Sequence, residues 1–348
     1  VRKIGGTKEL LIYLSLCLFL VGCASKGPGK ISLDPTSQKF LDMIAYIILP
    51  VEEKIFREMP PEDRGEFIKD FWARRDPDPS TPVNEFRERH YARLAMANKA
   101  FRAGTPGSKT DRGRIYILLG PPTNIIKKAM GDVPYEQGKF FTANPLESGT
   151  LTEMPTEIWV YDNYPELFSG PLHLTFVDYH GTGDYKLTTN VSITAFSGAA
   201  PTWDTPDLAK YHLVGEIEMD EKSLGELGIF DYDVAVNVVK RADGSFAALS
   251  ITIPYIRLGF RKEGEEYICD LTISAEVKDD QSRLVAKKEE PLSQGFSEKE
   301  IKELIRDKAQ ISKEWELPLA LGKNFVYISV VDKIKEKRLR KLLQVKGS

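Results

Sequence analysis

Between about residues 36 and 103 the apolar side chains of this chain recur every three or four positions, and from about residue 114 they recur every second position. The first spacing lines one face of a helix and the second lines one face of a strand. Helices grouped first and strands grouped after them predict an α+β layer followed by an all-β domain.

In the helical part, Phe40, Ile44 and Ile48 lead to Pro50, and a second short segment follows over 51–59. Pro60-Pro61-Glu62-Asp63 places proline and acidic residues where a helix begins, and the helix after it carries Phe67, Ile68, Phe71 and Trp72 on one face before Pro77. Thr81 and Pro82 predict the N-cap and first residue of a further helix, whose buried stripe is Val83, Phe86, His90, Leu94, Ala97 and Phe101. His90 on that stripe reads as a partly buried histidine with one hydrogen-bond partner.

Residues 114–119 read as a strand ending at Gly120-Pro121-Pro122. Residues 127–155, rich in Gly, Pro, Thr and Glu without periodicity, read as a long exposed loop. Strands follow over 157–161 and 172–178, and Gly181 to Asp184 turn into 185–187. A linker is expected over 197–210. Beyond it, alternating or apolar runs at 212–219, 232–239, 246–256, 266–277, 283–289 and 324–331, separated by short polar turns, predict an antiparallel β-sandwich of immunoglobulin-like architecture. Ser297-Glu298-Lys299-Glu300 is a capping box opening one short helix, with Ile301, Leu304 and Ile305 on its apolar side. The basic stretch 333–346 reads as a solvated final strand, with a surface for anionic partners as the alternative.

At the N-terminus, Arg2, Lys3 and Lys8 precede an apolar run over 10–21 that has the length of a signal-peptide core and falls short of a membrane span. It leads into Leu20-Val21-Gly22-Cys23, which resembles a lipobox. That resemblance implies cleavage before Cys23, acylation of its sulfur and anchoring in membrane lipid, and Ala24 after it favours the outer membrane. The expected division is a signal peptide over 1–22, a linker over 23–35, an α+β domain over 36–196, the linker over 197–210 and the sandwich over 211–348.

Residues 1–22 carry a net charge of +2 within a total of −3, so the remainder is near −5 and does not suit nucleic acid. Cys17 lies in the signal segment and Cys23 in the lipobox, which leaves Cys269 alone, without an internal disulfide or a cysteine metal cluster. No Gly-x-Ser-x-Gly elbow, His-Glu-x-x-His helix, phosphate-binding Gly-rich loop or Cys-x-x-Cys pair occurs. The four histidines, His90, His173, His180 and His212, show no metal-ligand spacing. Neither a metal nor a cofactor is expected.

A run of short motifs in fixed order carries a family likeness. It comprises 71–79 (Phe-Trp-Ala-Arg-Arg-Asp-Pro-Asp-Pro), Thr81, Asn84-Glu85, Arg93, Ala97-Asn98, Gly107-Ser108-Lys109-Thr110-Asp111-Arg112-Gly113, Gly120-Pro121-Pro122, Glu157-Ile158-Trp159 and Gly183-Asp184. Together these resemble the bacterial GWxTD domain family across roughly residues 45–190. Ser108 stands where the tryptophan of that motif would be. The resemblance implies an envelope protein and brings no reaction with it.

Arg75, Asp76, Asn84, Asp111, Arg112, Trp72 and Trp159 are the candidate binding residues, and two readings compete for them. In one, Arg75 and Arg112 pair with Asp76, Glu85 or Asp111 to tie helices to sheet, while Thr110 and Asp111 cap a turn. In the other, the same groups line a cleft walled by Trp72 or Trp159. The expected function is a non-catalytic envelope lipoprotein that binds a protein or glycan partner. The alternative is an envelope hydrolase using Asp111 and Glu85 as acid and base.

Overall fold

A computed structural model describes residues 32–129, 154–162, 170–188 and 228–348. The expected linker over 197–210, the expected strand over 212–219, Cys23 and most of the expected loop over 127–155 lie outside them. The chain divides into two compact units: the described residues within 32–231, together with 256–258, belong to the first, and 232–255 with 259–348 to the second.

The first unit opens with helices α1 (Pro35–Ile44), α2 (Pro50–Glu58), α3 (Arg64–Ala73), α4 (Glu85–Ala100) and α5 (Asp111–Leu119). Strands β1 (Asn124–Lys128), β2 (Thr156–Tyr161), β3 (Leu172–Val177) and β4 (Lys186–Leu187) follow as an antiparallel sheet in sequential order. The rings of Phe40, Phe56, Phe67 and Phe71 pack against one another at centroid distances of 5.2–6.3 Å, which gives the first three helices a common aromatic core. Each such ring stabilises the fold by roughly 1.5–3 kcal/mol through burial. A second core joins α5 to the sheet: Ile115, Leu118 and Leu119 lie against Trp159, Tyr161, Leu172, Leu174 and Phe176.

The sequence expectation fails at α5, because 114–119 form a helix rather than a strand. The short apolar run 115–119 fits either element, and here the ends decide. Thr110 caps the N-terminus through Gly113 N, Gly120 with φ 78° closes the C-terminus, and Arg93 donates to the carbonyls of Ile117 and Leu118. With both ends satisfied and the side chains of Ile115, Ile117, Leu118 and Leu119 buried, tertiary packing overrides the strand preference of isoleucine.

The start of α4 also differs from expectation. Its N-cap is Asn84, not Thr81, and Pro82 and Val83 lie in the preceding turn, Val83 being exposed. Asn84 wins because its amide does two jobs, accepting from Arg87 N and donating to Trp72 O, whereas Thr81 Oγ1 bonds within its own turn. The rest of the stripe holds, with Phe86, His90 and Ala97 buried. Strand β1 was hidden in the sequence by its exposed residues and by the polar stretch that follows it.

The second unit is all-β apart from one helix. Strands β5 (Asp233–Arg241), β6 (Gly244–Pro254), β7 (Arg261–Glu263), β8 (Glu266–Asp279) and β9 (Leu284–Phe296) precede helix α6 (Glu298–Arg306). Strands β10 (Gln310–Leu319), β11 (Gly322–Asp332) and β12 (Lys337–Gly347) follow it. One antiparallel sheet runs β10-β6-β5 and the other β12-β11-β8-β7, with β9 on the far edge of β8. Every second residue points inward: Ala247, Leu249, Ile251 and Ile253 from β6, Cys269, Leu271, Ile273, Ala275 and Val277 from β8, and Val326, Ile328 and Val330 from β11. The sheets curl into a half-barrel, and Lys313 on β10 reaches Glu290 on β9 at 2.5 Å.

Strand β10 escapes the sequence reading because Lys313, Glu314 and Glu316 mask its inward Ile311, Trp315 and Leu317. Strand β12 is not a solvated final strand, since it pairs with β11 along its whole length and buries Leu339, Leu342, Val345 and even Lys341. The Lys341 ammonium lies 5.0 Å from the centroid of Tyr232, so the aromatic face compensates part of its desolvation. Cys269 is a buried thiol without a disulfide, pushed up in pKa by burial, as its place in a strand interior predicts.

Candidate functional site

The candidate residues gather at the places where helices meet one another and where helices meet the sheet. Between α4 and α5 the chain makes a short turn, Gly107–Lys109, pressed against α4. A β-carbon on Gly107 would stand 2.0 Å from Ala97 O, and one on Gly113 would stand 1.8 Å from Gly107 O, so backbone contacts demand glycine at both positions. Thr110 Oγ1 donates to Gly107 O at 2.8 Å and accepts from Gly113 N at 3.1 Å, locking the turn to the first turn of α5. Asp111 Oδ2 accepts from Leu187 N at 2.9 Å, which ties α5 to β4, and its other oxygen lies 3.8 Å from Arg114.

Arg112 completes the junction. It donates to Glu157 Oε2 at 3.2 Å and to Gly183 O at 2.9 Å, and its guanidinium lies 4.0 Å from the Tyr185 ring centroid. Trp159 Nε1 donates to the same Glu157 oxygen at 3.1 Å, and Lys127 Nζ lies 3.5 Å from the other. Ser108 contributes only backbone groups, its amide to Asn98 Oδ1 and its carbonyl to Tyr46 Oη, both at 2.9 Å. The position of the motif tryptophan is therefore occupied here by a side chain without a bonding role.

A second knot lies among the helices. Arg75 is buried and bidentate to Glu52, with Nη2 at 2.6 Å from Oε2 and Nη1 at 3.1 Å from Oε1. It also donates to Ile47 O and Phe71 O, and its guanidinium sits 3.6 Å from the Phe71 ring centroid. Burial pulls Arg75 below the usual arginine range, and the Glu52 carboxylate opposes that pull. Arg74 donates to Glu52 as well, at 3.1 Å.

The remaining candidates serve local turns. Asp76 accepts from Asp78 N at 3.2 Å, and Glu85 Oε1 accepts from Thr81 at 2.9 Å, while Glu85 Oε2 is buried without a hydrogen-bond partner. Trp72 and Trp159 are both buried in the core. His90 matches its bland expectation: it is buried, Nε2 lies 2.9 Å from Met43 O, and burial lowers it to about 4. The neutral ring then donates from Nε2 to that carbonyl. Burial alone would raise the Asp178 carboxyl, but bonds from the amides of Gly183, Thr182 and His180 outweigh it and hold it low.

The structure thus joins Asp111, Arg112 and Trp159 in one junction, and Asn84 with Trp72 in another. The expected partners of Arg75 and Arg112 are replaced by Glu52 and Glu157. Glu157 was legible in principle, since it shares a strand face with Trp159 two residues on. Glu52 gave no such signal. Among the described residues no group of three His, Cys, Asp or Glu side chains is placed to hold a metal.

Residues 34–138 match the profile of the GWxTD domain. The chain carries a GWxTD domain. In it the motif, reading Gly-Ser-Lys-Thr-Asp over 107–111, is the hinge of the helix-to-sheet junction just described, its glycine, threonine and aspartate each filling a distinct structural post. No curated protein matches the chain. Among solved structures, a glycosyl hydrolase family 2 member from Bacteroides cellulosilyticus is similar over 33% of this chain at 11% identity and a TM-score of 0.24. The match covers only 15% of that hydrolase. An X-ray structure of a Northeast Structural Genomics Consortium target is similar over 34% of this chain and 82% of its own, at 11% identity and a TM-score of 0.21. Likenesses this slight carry no statement about the GWxTD domain or its neighbour.

Proposed function

We propose that this protein is a bacterial envelope lipoprotein, held to the outer membrane by lipid on Cys23, that works by binding rather than catalysis. The GWxTD domain lies beside the membrane in this reading, and the β unit offers a surface to an envelope protein or glycan. The observation that carries it is the closed bonding of the motif. Thr110 and Asp111 bond backbone amides, and Arg112 and Arg75 bond Glu157 and Glu52, all inside the domain. A catalytic acid or base has to reach a substrate proton directly or through one water, and Asp111 instead holds the amide of Leu187.

The membrane part rests on the apolar run 10–21 and Leu20-Val21-Gly22-Cys23. Each buried methylene adds about 0.8 kcal/mol, so two or more acyl chains on Cys23 anchor a protein stably. Among the described residues no helix is long and apolar enough to cross a membrane, and a lipid anchor requires none.

The test is in-cell cross-linking of the lipidated protein, affinity purification and mass spectrometry, beside a Cys23→Ala control. The expected result is a small recurring set of envelope partners, with palmitate incorporation, that disappears in the control. Recovery of the same set without Cys23, or of no recurring protein or glycan, overturns the reading.

A further inference from the structure

Among the described α-helices, α6 buries no residue, although its apolar side chains share one side. Ile301 and Leu304 are half-buried and Ile305 is 37% exposed. Beside it runs a cleft of about 290 Å3 lined by apolar Phe296, Leu304 and Ala309, here called its floor, and by the carboxylates of Glu300, Glu303 and Asp307, here called its rim. The floor is held firmly. Phe296 meets Tyr255 edge-on at 5.4 Å and Phe260 at 6.4 Å, and the Tyr255 hydroxyl donates to Gln294.

The rim carboxylates fall at i, i+3 and i+7 along and just past the helix, so they line one face. Glu300 accepts from the Ser297 amide and hydroxyl through one and the same carboxylate oxygen. Asp307 pairs with the exposed Arg306, and Glu303 lies at 4.0 Å from Lys299, at the outer limit of an ion pair between exposed groups. The hydrogen bonds of Glu300 and Asp307 hold both carboxyls below their usual range, so the rim stays negative at neutral pH. The cleft is small beside drug-sized pockets. One aliphatic side chain over Phe296 with a cation at the rim suits its size and charge, and that is the pattern of a short peptide rather than of a glycan.

We infer that the cleft along α6 docks a segment of a protein partner bearing Lys or Arg beside an aliphatic residue, the apolar side chain on Phe296 and Leu304 and the cation between Glu300, Glu303 and Asp307. This rests on the reading of the β unit as a binding surface and narrows its partner from protein or glycan to a basic, apolar peptide segment.

The test titrates the full chain with a labelled acetylated peptide of alternating lysine and leucine, against glutamate–leucine and lysine–serine controls, by fluorescence anisotropy. The lysine–leucine peptide is expected to bind at least about tenfold more tightly than either control. Glu303→Lys and Leu304→Glu should each weaken it by about tenfold or more, while the charge reversal Glu314→Lys on β10 leaves it unchanged. Both α6 variants alter partly exposed positions, and circular dichroism checks that they stay folded. Equal binding of the control peptides, or equal sensitivity to Glu314→Lys, overturns the inference. So does self-association of the chain that Leu304→Glu abolishes, because a second copy would then be the occupant. In the cross-linking experiment, partners retained by Leu304→Glu sink this cleft and leave the lipoprotein reading standing, whereas an absence of partners in the unmodified protein sinks that reading.

Discussion

Arg112 at the start of α5 and Glu157 on β2 stand 3.2 Å apart with little solvent access, and the indole of Trp159 shares the same carboxylate oxygen. Helix and sheet are thereby pinned through one acceptor. Replacing Glu157 by alanine leaves a guanidinium and an indole N–H without it, and breaking such a buried pair costs about 3 kcal/mol. A lower denaturant midpoint for the first unit is the expected outcome, and Arg112→Met combined with Glu157→Leu should recover part of the loss. A midpoint unchanged by Glu157→Ala would show that the pin contributes nothing.

The two motif glycines and Ser108 make a paired prediction. Gly113→Ala forces a β-carbon into Gly107 O, a backbone atom that cannot swing away, and should leave the first unit poorly folded by circular dichroism. Thr110→Ala removes the cap of α5 at a cost of about 1 kcal/mol. Ser108→Trp, in contrast, disturbs no side-chain bond and should be tolerated, with a melting temperature close to that of the parent. If Ser108→Trp unfolds the domain while Gly113→Ala does not, the junction has been assigned to the wrong atoms.

His90 gives the pH dependence a definite sign. Its folded value of about 4 lies below the usual 6.5, so between those values the unfolded chain binds the extra proton. Stability is therefore highest above pH 6.5 and declines as pH falls towards 4, by on the order of 3 kcal/mol from this group. Urea midpoints measured across that window should fall more steeply for the parent than for His90→Gln, which keeps a donor for Met43 O without titrating. Parallel slopes would remove His90 from the account.

The hydrolase alternative is open to direct assay. Asp111→Asn and Glu85→Gln should leave turnover of chromogenic ester, glycoside and peptide substrates at the background of the parent protein, while Asp111→Asn lowers stability through its bond to Leu187 N. Parental turnover above background that either substitution abolishes would make Asp111 and Glu85 a working pair and displace the binding reading.

Much of this protein follows from interactions between near neighbours in sequence. The Ser297 capping box, the aromatic stripe of α3, the alternation in β8 and β11 and the burial of Cys269 each depend on residues a few positions apart, and each is legible in the order of the residues alone. The ordered motifs from Phe71 to Asp184 likewise identify the GWxTD domain, since a family likeness needs only order and spacing.

Choices among nearly equal local options were made by the tertiary structure. The apolar run 115–119 became a helix because Arg93, from another helix, satisfied its last carbonyls. Thr81 yielded to Asn84 because only asparagine could cap and also reach Trp72 O. Charged side chains concealed β10, whose inward residues gain their burial from strands distant in sequence. Arg75 and Arg112 advertised their need for carboxylates, but which carboxylate each found was settled by packing, at Glu52 and at Glu157. A local bond is encoded in the spacing that makes it, whereas an ion pair across 23 or 45 residues exists only once the chain between has folded.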